Sequence, residues 1–163
     1  MHFARLKLTS VPPVARLANY IEQTELKIPK LADEYRYASL PLCVVDAVFS
    51  IGVRYTSTQK VVSNLCEYAG WTRFFASREA RGAGEYGIGD LNSMFDKFGA
   101  EGMAESVFQN RQRTSSRSGI LKAEAVLLYC RTLIKAGIND FPDLDVERRE
   151  YAEAIILGLP GQS

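Results

Sequence analysis

The sequence predicts an all-α fold, on three observations. No segment alternates apolar and polar residues with period two, apolar residues recur at helical spacing in several stretches, and hydroxyl or acidic residues and glycines bracket those stretches as starts and stops. At 163 residues, 47% hydrophobic and 24% charged, the chain is long enough to bury a real core, and residues 1–163 are expected to form a single domain. There is no internal repeat and no low-complexity tract.

The first helix is expected at roughly 12–23, where Ser10, Pro12 and Pro13 make a start and Val14, Leu17, Ala18 and Ile21 share a face. After a polar connection holding Pro29, the run from Leu40 to Gly52 is apolar almost all round and predicts the central buried helix. Thr56 and Ser57 are placed to cap the next helix, about 57–69, whose stripe is Val61, Val62, Leu65, Cys66 and Ala69 and whose stop is Gly70. Gly82, Gly84, Gly87 and Gly89 predict a surface loop over 77–89. Its Gly82-Ala83-Gly84-Glu85-Tyr86-Gly87 has GxGxxG spacing but no preceding strand to make it a dinucleotide site. Two short helices are expected at about 90–97 and 100–109. A longer one, of about 17 residues, is capped by Ser118, carries Leu121, Val126, Leu127, Leu128, Leu133 and Ile134, and stops at Gly137. The last helix runs from about Asp145 to Leu157, followed by Leu159-Pro160-Gly161, which suits either a helix terminator or a hairpin between helices.

Twenty lysines and arginines against 19 acids give a net charge of +1, so any attraction for a polyanion must be local. Cys43, Cys66 and Cys130 lack CxxC spacing and the only histidine is His2. No metal site and no cofactor are therefore expected, and the cysteines read as buried structural thiols of a reducing, cytoplasmic setting. No run approaches the about 18 apolar residues of a membrane span. No internal histidine is present to activate a serine or cysteine, neither GxSxG nor a Walker pattern occurs, and no catalytic residue is assigned. Asp46, alone in the apolar helix, must find a hydrogen bond or an arginine.

Two segments stand out as anion sites. Between Arg111 and Lys122, the residues Arg111, Arg113, Arg117 and Lys122 bring four positive charges. Thr114, Ser115, Ser116 and Ser118 add hydroxyls, no acid intervenes, and a helix N-terminus follows. The segment reads either as a phosphate cradle or as a solvated arginine-rich loop with Ser118 as the helix cap. The second segment is the polar corner after the buried helix, Gly52 to Thr58, where Arg54 and Tyr55 could enter a groove or stack on an exposed base, or simply join two helices.

In this order the segments resemble the helix-hairpin-helix DNA glycosylase superfamily of the endonuclease III type. The resemblance covers about residues 40–163. Ser50-Ile51-Gly52-Val53-Arg54-Tyr55-Thr56-Ser57-Thr58-Gln59-Lys60 resembles the family's DNA-facing corner, with Gly52 where a glutamine is often found. Lys122-Ala123-Glu124 resembles its Lys-Ala-Glu segment, and Leu159-Pro160-Gly161-Gln162-Ser163 its hairpin, with Ser163 in place of the second hairpin glycine. The resemblance implies a helical glycosylase-like domain ending within the helix-hairpin-helix motif. It implies contact with double-stranded DNA through Arg54, Tyr55, Thr56, Arg111, Arg113, Ser115, Ser116, Arg117, Ser118, Lys122, Leu159, Pro160 and Gly161. The family's catalytic lysine and aspartate follow its hairpin, at positions past Ser163, so the expectation is a DNA-binding protein without base-excision activity. The alternative is a small helical interaction module that self-associates, or meets a partner chain, through the face such a domain would otherwise complete.

Overall fold

The computed structural model describes residues 37–75 and 86–158, which lie within the unit running from Ala32 to Ser163. The helix expected at 12–23, most of the glycine-rich loop, and Leu159, Pro160 and Gly161 fall outside the described residues. Within them the fold is all-α. Five α-helices are present, with no strand beyond the isolated bridges Tyr37–Phe74 and Arg113–Leu121.

Helix α1, Leu40–Ser50, forms the middle of the core. Pro41 sits in its first turn, where no backbone N–H is needed, and Leu40, Pro41, Leu42, Val44, Val45, Val48 and Phe49 are all buried. Helix α1 packs against the next three helices, while its Cys43, Asp46, Ala47 and Ser50 side is not buried, with Ala47 and Ser50 exposed. Gly52, at φ +69°, turns the chain out of α1 in the left-handed region that favours glycine.

Helix α2, Tyr55–Ala69, buries Val61, Val62, Leu65 and Cys66 of the expected stripe, with Ala69 half-buried and Thr58 buried in addition, and ends at Gly70 in the left-handed conformation. Its start differs from expectation. Neither Thr56 nor Ser57 caps it; Arg54 holds the capping position without a side-chain bond, because the corner brings the chain into helical geometry before the hydroxyls are reached.

Helix α3, Ile88–Gly102, begins inside the segment expected to be loop. Asp90 returns its carboxylate to the Gly87 N–H at 2.7 Å, and Asn139 receives the N–H groups of Ile88 (2.8 Å, on its carbonyl) and Gly89 (2.8 Å, on its side chain). Gly87 is needed there because a Cβ would collide with the Asn139 side chain. The two short helices expected here are both present within α3, meeting at a kink at Gly99 (φ 66°, ψ 173°), and the second continues as a π-helical turn, Met103–Val107. That turn and Phe108 bury Met103, Ala104 and Val107. The Phe108 ring meets Phe49 edge-on at 5.2 Å and tilts against Phe95 at 6.1 Å, while its carbonyl accepts from Asn64 at 3.0 Å.

Helix α4, Lys122–Lys135, buries Ala123, Ala125, Val126, Cys130 and Leu133 and is followed by Gly137 at φ +72°. Ser118 is not its cap, since Leu121 occupies that position and Ser118 lies in the turn before it. After a short 3-10 turn, Phe141–Asp143, helix α5 spans Val146–Ile156. Asp145 caps it as expected, its carboxylate accepting the Arg148 N–H at 2.8 Å. Helix α5 buries only Ala152.

The aromatic cluster on α1 and the π turn gives one check of this packing. Phe108→Ala is expected to lower unfolding stability by about 3–5 kcal/mol, read by urea denaturation, since the cavity would lie between Phe49 and Phe95.

Candidate nucleic-acid interface

The two segments singled out in the sequence meet at one side chain. Lys122 opens α4 and is almost wholly buried, at 2% exposure. Its ammonium donates to the Phe49 carbonyl at 3.0 Å and to the Ile51 carbonyl at 2.7 Å, and it lies 6.0 Å from the centre of the Phe49 ring. These are carbonyls at the C-terminal end of α1, which have no intrahelical partners and carry the negative end of the helix dipole. The cation therefore closes α1 and pins the 51–54 corner to the base of the 111–122 segment. Burial lowers the Lys122 pKa from the ordinary lysine value. Its place as a phosphate ligand in the cradle is corrected accordingly: a buried ammonium committed to two carbonyls does not face solvent.

Above Lys122 the arginine-rich segment folds as a small antiparallel loop. The Lys122 N–H bonds the Gln112 carbonyl at 2.8 Å and the Thr114 N–H bonds the Ile120 carbonyl at 2.9 Å, closing residues 114–120 into a turn. Gly119 is required by close approach, since a Cβ would meet the backbone of Ser115. Arg113 donates to the Gly119 carbonyl at 2.7 Å, bracing one arm of the loop against the other. Ser115, Ser116, Arg117 and Ser118 are exposed along the turn, with the Ser115 hydroxyl accepting from the Ser118 N–H. Arg111 is exposed too, but it pairs with Glu101 at 2.6 Å, an acid from α3 invisible to a count of charges between 111 and 122. Of the four expected cations, Arg113 and Arg117 remain exposed without an ion pair among the described residues.

In the corner, Arg54 and Thr56 are exposed. Tyr55 is half-buried and joins a polar knot with Tyr37 and Asp46. The Tyr37 hydroxyl donates to Asp46 Oδ1 at 3.0 Å, and its pKa is raised by burial, by hydrogen bonding with Tyr55 and by Asp46. Asp46 thus has the partner its position demanded. Burial raises its pKa, against the opposing pull of the Tyr37 bond and of the Arg73 charge. Arg73 donates to Ser63 at 2.9 Å and lies 4.7 Å above the Phe74 ring, which in turn stacks on Tyr37. Tyr55 is therefore held by this knot and is not a free ring awaiting a base.

Cys66 and Cys130 are buried and Cys43 is half-buried; burial pushes the Cys43 thiol up to about 11 and Cys130 up to about 12, which makes both poor nucleophiles. Among the described residues no cluster of His, Cys, Asp or Glu could hold a metal ion, and no helix is long and apolar enough to cross a membrane.

A family model described as a domain of unknown function, DUF8548, matches residues 15–163. The chain belongs to that family. No curated protein and no solved structure matches it. The family match takes in α1 to α5, and hence both the Lys122 tie and the arginine loop.

Replacing Lys122 with Met keeps the apolar stem and removes both donors, leaving the Phe49 and Ile51 carbonyls unpaired. Stability should fall by about 1–3 kcal/mol in urea denaturation. The sign of its pH dependence follows from the lowered pKa: between the folded and the ordinary lysine values the unfolded chain binds more protons, so the wild type gains stability as pH rises through that window. The gap between wild type and Lys122→Met should widen as pH rises toward the ordinary lysine value.

Proposed function

We propose that this chain is a DNA-binding protein of the helix-hairpin-helix glycosylase type, contacting duplex phosphates through the arginine loop and the adjoining corner. The observation that carries the reading is the Lys122 tie. It joins, across 73 and 71 residues of sequence, the two segments whose order resembles that superfamily, and it leaves Arg54, Arg113, Arg117 and the serines of the turn on the outside. Exposed guanidinium and hydroxyl donors on a braced loop are the equipment of backbone recognition, which positions a duplex without reading its sequence. The proposal is one of binding and assigns no catalytic residue.

The test is a salt series on duplex DNA, plain and with an abasic site. Arg113→Ala and Arg117→Ala should each weaken binding and flatten the dependence of log K on log salt by roughly one, while Arg111→Ala, already paired with Glu101, should do less. Affinity and slope that stay unchanged in the Arg113/Arg117 double variant would reduce the loop to a solvated turn.

A second reading is favoured by α5. That helix buries Ala152 alone and leaves Val146 (62%) and Leu157 (68%) largely exposed, with Tyr151 exposed as well. Such a surface suits self-association. Sedimentation should then show a mass that rises with concentration, and Val146→Ser with Leu157→Ser should abolish the rise; a monomer at every concentration counts against this reading.

A further inference from the structure

The arginine loop carries hydroxyls as well as cations, and they are not equivalent. Thr114 is half-buried, with its side chain toward Gly119 and its N–H in the turn. The Ser115 hydroxyl accepts the Ser118 N–H at 3.4 Å. Ser116 lies between them, exposed, with its hydroxyl unengaged among the described residues. It is also the hydroxyl of this loop that has arginines both three and five residues before it, Arg113 and Arg111, with Arg117 following directly.

That spacing is a charge pattern of the kind by which protein kinases choose substrates: an arginine-directed kinase receives guanidinium groups in acidic pockets ahead of the acceptor hydroxyl. Such an enzyme takes its substrate as an extended segment, and this loop can supply one. No side chain from 111 to 118 is buried. Opening the turn gives up the Thr114–Ile120, Arg113–Gly119 and Ser115–Ser118 bonds, while Lys122 stays in the core and holds the base of the loop. Arg111 leaves an exposed pair with Glu101, a contact of small net worth in water.

We infer that Ser116 is a phosphorylation site for an arginine-directed serine/threonine kinase, and that its phosphate turns the arginine loop off as an anion site. The Ser116 Oγ attacks the γ-phosphorus of ATP, the bond from that phosphorus to the ADP oxygen breaks, and the hydroxyl proton passes to the catalytic aspartate of the kinase. A phosphoserine carries a charge of about −1.5 to −2 at neutral pH and accepts strongly from guanidinium groups. Arg113 and Arg117 are the two loop cations without an ion pair among the described residues, so one phosphate between them offsets both. The switch rests on the nucleic-acid reading above; the modification site does not.

The intact protein is incubated with magnesium ATP and the catalytic domain of a serine/threonine kinase that reads arginine at those two places, and the product is mapped by peptide mass spectrometry. One phosphate, on Ser116, is expected. Ser116→Ala should abolish it, and Arg113→Ala should slow incorporation roughly tenfold, the cost of one charge-assisted contact. Phosphate on another hydroxyl, or none, overturns the inference. Phosphorus NMR of the phosphorylated protein reads the pairing without DNA: the phosphoserine should titrate below its ordinary pKa of about 6 and return toward it in Arg117→Ala. Titration at the ordinary value in the wild type overturns the inference. On duplex DNA the phosphorylated protein should bind more weakly, with the dependence of log K on log salt flatter by roughly two, and phosphatase treatment should restore both. Phosphate on Ser116 that leaves duplex binding unchanged overturns the switch and leaves the duplex reading standing. Phosphate on Ser116 with a lowered pKa, in a protein that binds duplex in neither form, defeats the duplex reading and upholds the site.

Discussion

The ammonium of Lys122 inside the end of α1 is the contact on which the other features depend. Phe49 is buried at the end of α1, and a carbonyl covered there must be satisfied from within the protein. One lysine from the start of α4 answers that need, and in doing so fixes where α4 begins and how the corner is oriented. The loop before it, residues 112–121, has little freedom left, because its C-terminal end is anchored in the core and its two arms bond each other. A buried cation with no ion pair among the described residues is unusual; the helix dipole and two carbonyls take the carboxylate's place.

What could be read from the sequence and what could not divides along physical lines. Helix α1 was legible because a run from Leu40 to Ile51 broken only by Asp46 and Ser50 leaves few alternatives to burial, and α2 because its stripe and Gly70 stop are local signals. The starts of α2 and α4 were not. Thr56, Ser57 and Ser118 have the right chemistry to cap a helix, but tertiary contacts decide where each helix begins: the corner in one case, the depth of Lys122 in the other. The split expected between two short helices exists as the break at Gly99, although the chain stays helical on both sides of it.

The candidate site shows the same division. Adding up charge between Arg111 and Lys122 finds four cations, since sequence carries no information on depth or on acids arriving from elsewhere. Folding removes Lys122 to the core and brings Glu101 to Arg111, leaving Arg113 and Arg117. Asp46 was legible as a residue needing a partner, but not that its partner would be Tyr37 or that Tyr55 would be drawn into the same knot.

Because the Lys122 amine is both sequestered and hydrogen-bonded, reagents that acylate exposed lysines reach it only when α1 and the arginine loop come apart. Surface lysines such as Lys60, Lys97 and Lys135 carry no such protection. The lag between their modification and that of Lys122 is therefore a clock for the opening of this joint. Any ligand that clamps the corner and the loop together slows that clock, whatever the ligand proves to be.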